Sequence, residues 1–287
     1  MICIALSIGE DEKYCIRKYI KRQNPGYVAL QQEALPRYNT AKIEIIMDVT
    51  KYQLLFSQPR FNKYVYACNQ DVENAIALYK YNIQASQALY PLISIMEVAL
   101  RNGIDRVLIS HFNDNSWLLT QRHQFAYHSG MVCKDAQGNI RSDNFFAEKL
   151  KKTENKLSYY GTPITHGKLL AELTFGFWVK FFDTSAIKVL RGAPLDAFAN
   201  KPHKKLALVH SHLNSIVTLR NRIAHNEPIC FNNTGNICLT TIESYETNIL
   251  EALGWLDTDL KEWSNKINFF KPVYNRIIDI FNHAPDF

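Results

Sequence analysis

The chain has 287 residues, 47% hydrophobic and 21% charged, which is enough apolar material for one large domain or two small ones. Its 11 glycines and 10 prolines exclude a collagenous or low-complexity chain, and no apolar run reaches the roughly 18 residues of a membrane helix. The net charge of +6, from 33 basic and 27 acidic residues, permits a polyanionic partner without demanding one.

Residues 1–6 are apolar but meet Glu10, Asp11 and Glu12 at once, with no basic region before them, so no signal peptide is expected. Cys3, Cys15, Cys68, Cys133, Cys230 and Cys238 are scattered and form no C-x-x-C pair. They read as reduced thiols of a cytoplasmic protein. Helix-like runs at 13–21 and 42–56 are separated by breakers at 24–26 and 35–37, which predicts a loosely helical N-terminal extension over 1–56.

A long helix is predicted over 71–109, split or kinked at Pro91. Beyond that proline, Leu92, Ile95, Met96, Ala99, Gly103 and Val107 make one apolar stripe. The polar stretch 110–145 carries a turn at 135–139 and room for a short hairpin. A Lys-rich helix follows over 144–160, ended by Gly161 and Pro163. A short, very apolar helix is expected over 169–182; Phe175, Phe177 and Trp178 read as core, and Gly176 as the point of close helix approach. The clearest helix runs over 204–226 and stops before Pro228. After a loop at 232–236, one helix is predicted over 241–266 and an amphipathic one over 269–282. Strand signals are sparse, so the fold class is all-α, a bundle of long antiparallel helices with loop insertions.

The chemistry sits at the end of the 204–226 helix. Leu206, Val209, Leu213, Ile216 and Val217 form its apolar stripe, and the next stripe position holds Arg220 before Ala224 resumes it. A guanidinium on a core-facing row is costly unless it is paired or faces a polar cleft. Arg220, Asn221 and His225 span an arc of about 140° on an ideal helix. One arc thus holds an anion-binding fork, an amide, and an imidazole that exchanges protons near neutral pH. Such a group could bind a phosphodiester and cleave RNA without metal or cofactor. His225 would be the base or acid, Arg220 the electrostatic clamp, and Asn221 the orienting amide. One imidazole does not easily serve as both base and acid, so a homodimer that brings two such helices together is expected. The plainer alternative is that His225 caps the helix and Arg220 makes a structural ion pair.

The string from Arg220 to His225 resembles the R-polar-x-x-x-H motif of HEPN-domain ribonucleases. Continued to Pro228, it resembles the Abi-like (abortive infection) family. Three other segments resemble that family in the same order: Ser57-Gln58-Pro59-Arg60-Phe61, Leu89-Tyr90-Pro91-Leu92 with 96–102, and 173–178. The resemblance covers roughly 57–265, which would make 57–265 the HEPN helical domain and 266–287 a C-terminal helical tail. It implies a HEPN-like fold, an RNA substrate cut at a dimer interface, and a toxin-type or antiviral role, with an antitoxin or inhibitory RNA as a further partner. The alternative it leaves open is a non-catalytic RNA-binding or regulatory module.

Supporting residues are Glu97, Arg101, Asn102 and Glu227. Glu97, Arg101 and Asp105 stand four apart, either as a solvated ion-pair ladder or with Glu97 turned to Arg220 or His225. Arg222, Lys204 and Lys205 are candidate RNA contacts, whereas Lys149, Lys151, Lys152 and Lys156 read as a solvated surface. His210 and His212, two apart, point to different sides of a helix and share no metal; no metal site is expected. No G-x-S-x-G, P-loop or G-x-G-x-x-G motif is present.

Overall fold

The computed structural model describes residues 48–232 and 234–282. The run expected at 13–21, the breakers that follow it, Cys3, Cys15 and the acidic start lie outside the described residues. Twelve α-helices and one two-stranded hairpin make up the described part, so the fold is an all-α bundle.

The first helix, α1 (Val49–Phe56), starts at Asp48, whose carboxylate accepts from the Lys51 amide at 2.8 Å. Helix α2 (Gln58–Ala67) follows after one residue and takes Pro59 in its first turn, where no N–H is missed. Helix α1 lies within the expected N-terminal extension and packs on the helices that follow it. Tyr52 stacks on Phe61 of α2 at 5.1 Å, and Phe56 meets Tyr79 of the next helix at 4.9 Å.

That next helix, α3 (Val72–Phe112), is the spine of the molecule. Its 41 residues extend about 60 Å at roughly 1.5 Å per residue. It passes through Pro91 without the expected split. Gln87 and Pro91 are both exposed, so the Gln87 carbonyl that loses its helical donor faces water. Leu89, Leu92, Ile93 and Met96, all fully buried, hold the helix on course on either side. The buried row beyond Pro91 is rotated from the expected stripe: Leu100, Ile104 and Leu108 are buried, while Ile95, Ala99 and Val107 are half-buried.

After α4 (Trp117–Thr120) comes the hairpin of β1 (Val132–Lys134) and β2 (Ile140–Ser142), antiparallel with Cys133 opposite Arg141. The Asp135 carboxylate ties its turn by accepting from the Gln137 and Asn139 amides. Helix α5 (Phe145–Tyr159) is the Lys-rich one.

The single helix expected over 169–182 is broken into α6 (His166–Glu172), α7 (Phe175–Val179) and a 3-10 turn, with Leu173 and Thr174 extended between them. On one continuous helix Leu173, Phe175, Phe177, Trp178, Phe181 and Phe182 would spread over about 200°. The break re-aims the second half, and all six are buried. The aromatic core they enter includes Phe146, 5.2 Å from Phe177.

Helix α8 (Thr184–Val189) leads to a 3-10 turn over Ala193–Ala197 that packs on α3 at Gly103, where a Cβ would stand 3.4 Å from that of Ala197. Helix α9 (Leu206–Ala224) is followed by α10 (Leu239–Leu256), α11 (Thr258–Lys266) and α12 (Phe270–Asn282). The expected 241–266 helix is interrupted at Asp257, which is extended and caps α11 by accepting from the Leu260 amide at 2.8 Å. Residues 270–282, within the expected C-terminal helical segment, form a helix that packs on the bundle. Phe270, Tyr274, Ile277 and Ile280 bury one face of α12, which packs on α3. Helix α10 also packs on α3, and α9 lies against α3, α7 and α10. Among the described residues, no helix is long and apolar enough to cross a membrane.

Candidate functional site

Helix α9 is anchored by Val209, Leu213, Ile216, Val217 and Leu219, all buried. Leu206 is half-buried and Ala224 exposed, so the stripe does not resume after Arg220 as expected. Arg220 lies at the edge of the buried row, 31% exposed, and its Nε stands 3.6 Å from Oε2 of Glu97 on α3. Of the two readings of the Glu97–Arg101–Asp105 row, the ladder does not form. Asp105 instead accepts from the indole of Trp117 and bonds the His166 ring, each at 2.8 Å.

The end of α9 is a full Schellman motif. His225 is the C-cap residue and Asn226 follows in the left-handed region at φ 55°. The Asn226 amide donates to the Ile223 carbonyl, and the Glu227 amide to that of Arg222 at 2.7 Å. The loop beyond is clamped twice. Buried Asn82 of α3 accepts from the Ile229 and Cys230 amides at 2.8 and 3.1 Å. Arg222 donates to the carbonyls of Pro228 and Phe231 and to the Tyr245 hydroxyl. From α2, Arg60 donates to the Asn226 carbonyl. His225 is thus the C-cap residue of α9, with the backbone on either side of it tied down.

That place is the mouth of a cleft of about 520 Å³ between α9, α7 and the start of α5. Arg220, Asn221 and His225 all line it. His210, Asn214 and Val217 continue the same wall along α9, with Thr174 of the α6–α7 break and Gly176 of α7 also in the lining. Phe145, Lys149 and Lys180 line it as well. Its lining residues include three cationic side chains and two histidines but no carboxylate. Behind the wall, Lys180 bonds Asp143 and Asp183, each at 2.6 Å. Burial works to lower the Lys180 pKa, but the two carboxylates outweigh it and raise it above the ordinary lysine range. Burial lowers the pKa of His210 despite the nearby Asp183 carboxylate. Gly176 is not needed for close approach, since a Cβ there would meet Val217 at an ordinary 3.6 Å.

The remaining candidates fall elsewhere. Arg222, expected among the RNA contacts, is committed to the loop clamp: its guanidinium serves two carbonyls and a hydroxyl. Lys204 pairs with Glu251 at 2.6 Å and lies 5.4 Å from the Trp255 ring, on the α10 side, and exposed Lys205 is the N-cap residue of α9. Neither lines the cleft. Arg101 keeps a buried Nε without a hydrogen-bond partner, and Asn102 is exposed. Glu227 is exposed and approaches Arg222 only at 4.0 Å. His212 turns to α10, bonding the Asn248 carbonyl at 2.8 Å, while His210 faces the cleft. Sequence reasoning missed Asn214 and the cleft role of His210 and Lys149. The signal was the row 210, 214, 217, 221, 225, a helical spacing that carries polar residues at every place but one. No cluster of metal-ligating residues occurs among the described residues.

Residues 46–230 match the family model described as Abi-like protein. The chain belongs to the Abi-like protein family. The match begins before α1, not at Ser57, in keeping with the packing of α1 on α2 and α3. It ends just past the motif, so α10–α12 of this Abi-like protein complete the bundle from outside the matched segment. No curated protein and no solved structure matches the chain.

Proposed function

We propose that this Abi-like protein is an endoribonuclease of HEPN type that acts in the cytoplasm as an abortive-infection or toxin-type effector. The observation that carries the reading is the meeting of Arg220, Asn221 and His225 in one cleft whose lining holds no carboxylate. A phosphodiester seated there has the Arg220 fork for its charge and an imidazole at the rim. The RNA 2′-oxygen attacks phosphorus, its proton passes to a base, the bond to the 5′-oxygen breaks, and that oxygen takes a proton from an acid. The products are a 2′,3′-cyclic phosphate and a 5′-hydroxyl. Glu97 is a positioning residue that holds Arg220 from behind.

The second imidazole of this scheme comes from a second copy. Leu54, Leu55, Ile83 and Tyr90, all exposed, border a larger cavity of about 1170 Å³ that shares Asn226 and Glu227 with the motif turn. A two-fold contact over that apolar surface brings two motif turns together.

The test is RNA cleavage by the purified protein in EDTA, with the ends identified. Arg220→Ala and His225→Ala should each lower the rate by roughly 100-fold or more. Undiminished cleavage in both variants sinks the reading. One observation favours a second reading: His225 is exposed, and no hydrogen bond among the described residues fixes its ring. As a non-catalytic RNA-binding module, the protein would bind RNA in a salt-dependent way and cut none.

A further inference from the structure

Inward from the motif, the cleft ends in a group that the proposed chemistry does not use. The half-buried Phe145 ring lies there with two ammonium groups over it, Lys149 Nζ at 5.4 Å and Lys180 Nζ at 5.7 Å from its centroid. His210 and Asn214 complete the wall on α9. His210 and His225 are fifteen residues apart on one helix, about 22 Å at roughly 1.5 Å per residue. That is much too far for both imidazoles to act on one phosphate, so His210 is not the missing acid or base. It is a useful length for a strand: at about 3.4 Å per stacked nucleotide, the span matches on the order of six nucleotides, fewer if the strand is stretched.

We propose that the Phe145–Lys149–His210–Asn214 end of the cleft is a distal subsite for single-stranded RNA, holding a nucleotide several positions from the bond that is cut. The inference rests on the reading of the motif end as an RNA-cleaving site. An aromatic face beside cations is the arrangement that single strands use, since every base can stack and every linkage carries charge. Of the two lysines, Lys180 is committed to Asp143 and Asp183, so it stiffens the wall and leaves Lys149 to meet phosphate. His210 and Asn214 offer hydrogen-bonding groups to a base edge. Since burial holds His210 toward its neutral form, it recognises by donor and acceptor rather than by charge. The strand is single because the site needs an unstacked base, which a duplex does not present.

The experiment compares a dinucleotide with an octanucleotide of single-stranded RNA, blocked at the cleavable 2′-oxygen, in binding to the full-length wild type, Lys149→Gln and His210→Gln. The wild type should bind the octanucleotide at least ten-fold more tightly. Each variant should bring that ratio down several-fold, and Lys149→Gln should also reduce the salt slope of octanucleotide binding by about one. Thermal melting of both variants within a few degrees of wild type shows that they are folded; should one not fold, Asn214→Ala takes its place. A wild-type ratio retained in the variants overturns the distal subsite while leaving the motif reading intact. A wild type that neither binds nor cuts RNA overturns the motif reading, and the subsite falls with it.

Discussion

Arg220 and Arg222 stand two residues apart on α9 and live in different worlds. Arg220 faces the cleft with one ion pair, to Glu97 at 3.6 Å, and is 31% exposed. Arg222 faces the loop that follows the helix, and its guanidinium holds two backbone carbonyls and a hydroxyl. One face of the helix end presents polar groups to solvent, and the other spends them on structure. The contrast locates function by what is left unspent. A loosely paired guanidinium beside a cleft has hydrogen-bonding capacity for a ligand, and one enclosed by carbonyls has none to give.

Removing each arginine in turn should separate the two faces most strongly. Arg222→Ala should cost about 3 kcal/mol, since it leaves two carbonyls and a tyrosine hydroxyl without their donor, and should lower the melting temperature by several degrees. Arg220→Ala should cost less than about 1 kcal/mol, in keeping with a partly exposed pair, yet lower RNA cleavage by roughly 100-fold or more. Equal losses of stability in the two variants would erase the distinction. Next comes Asn82→Ala, which strips the shared acceptor from two buried amides and should cost about 2–3 kcal/mol by denaturant unfolding. Asn82 lines no part of the cleft but holds the loop that follows His225, so cleavage per folded molecule should fall as well, by less than in Arg220→Ala.

How far the two faces were legible in the sequence follows from what each depends on. The cleft trio was legible because Arg220, Asn221 and His225 are local, and helical spacing alone places them on one arc. The clamp was less so: Arg222 reaches carbonyls six and nine residues on, but Asn82 reaches loop amides more than a hundred residues away. The breaks at Thr174 and Asp257 were missed for a different reason. Apolar periodicity continues through both, while the extended backbone is fixed by aromatic packing at the first and by a capping carboxylate at the second. At Pro91 the split, one of the two outcomes expected, does not occur: buried neighbours on both sides carry the helix through the local breaker. All-α architecture needed none of this detail, since it follows from the dominance of 3.6-residue periodicity.

A smaller effect sharpens the cleft side. Glu97→Gln keeps the shape but removes the charge that faces Arg220. RNA should then bind roughly three- to ten-fold more tightly, with a steeper salt dependence, because one more cation is free to meet phosphate. Cleavage should slow, because the guanidinium has lost the group that orients it. Binding and turnover moving in the same direction would remove Glu97 from its positioning role.

The smallest expected effect concerns acid. Asp183 is a quarter exposed; burial works to raise its pKa, but the Lys180 ammonium outweighs burial and leaves it below the ordinary value. A carboxylate held down in the folded state binds its proton more readily when unfolded. It therefore adds stability above about pH 3.9, its unfolded value, and loses it as the pH falls through the folded value. His210 has the same sign in a higher window: burial lowers its pKa, so the unfolded chain gains a proton first as the pH drops below about 6.5. Asp183→Asn should lower stability at pH 6 by less than about 1 kcal/mol, discounted for solvent screening, and the gap to wild type should close toward pH 3. Arg222 does not titrate in this range, so its contribution to stability should not depend on pH. Acid then weakens the wall of the cleft before it reaches the clamp, and melting curves of the Asp183 and Arg222 variants taken from pH 7 to 3 should separate the two faces.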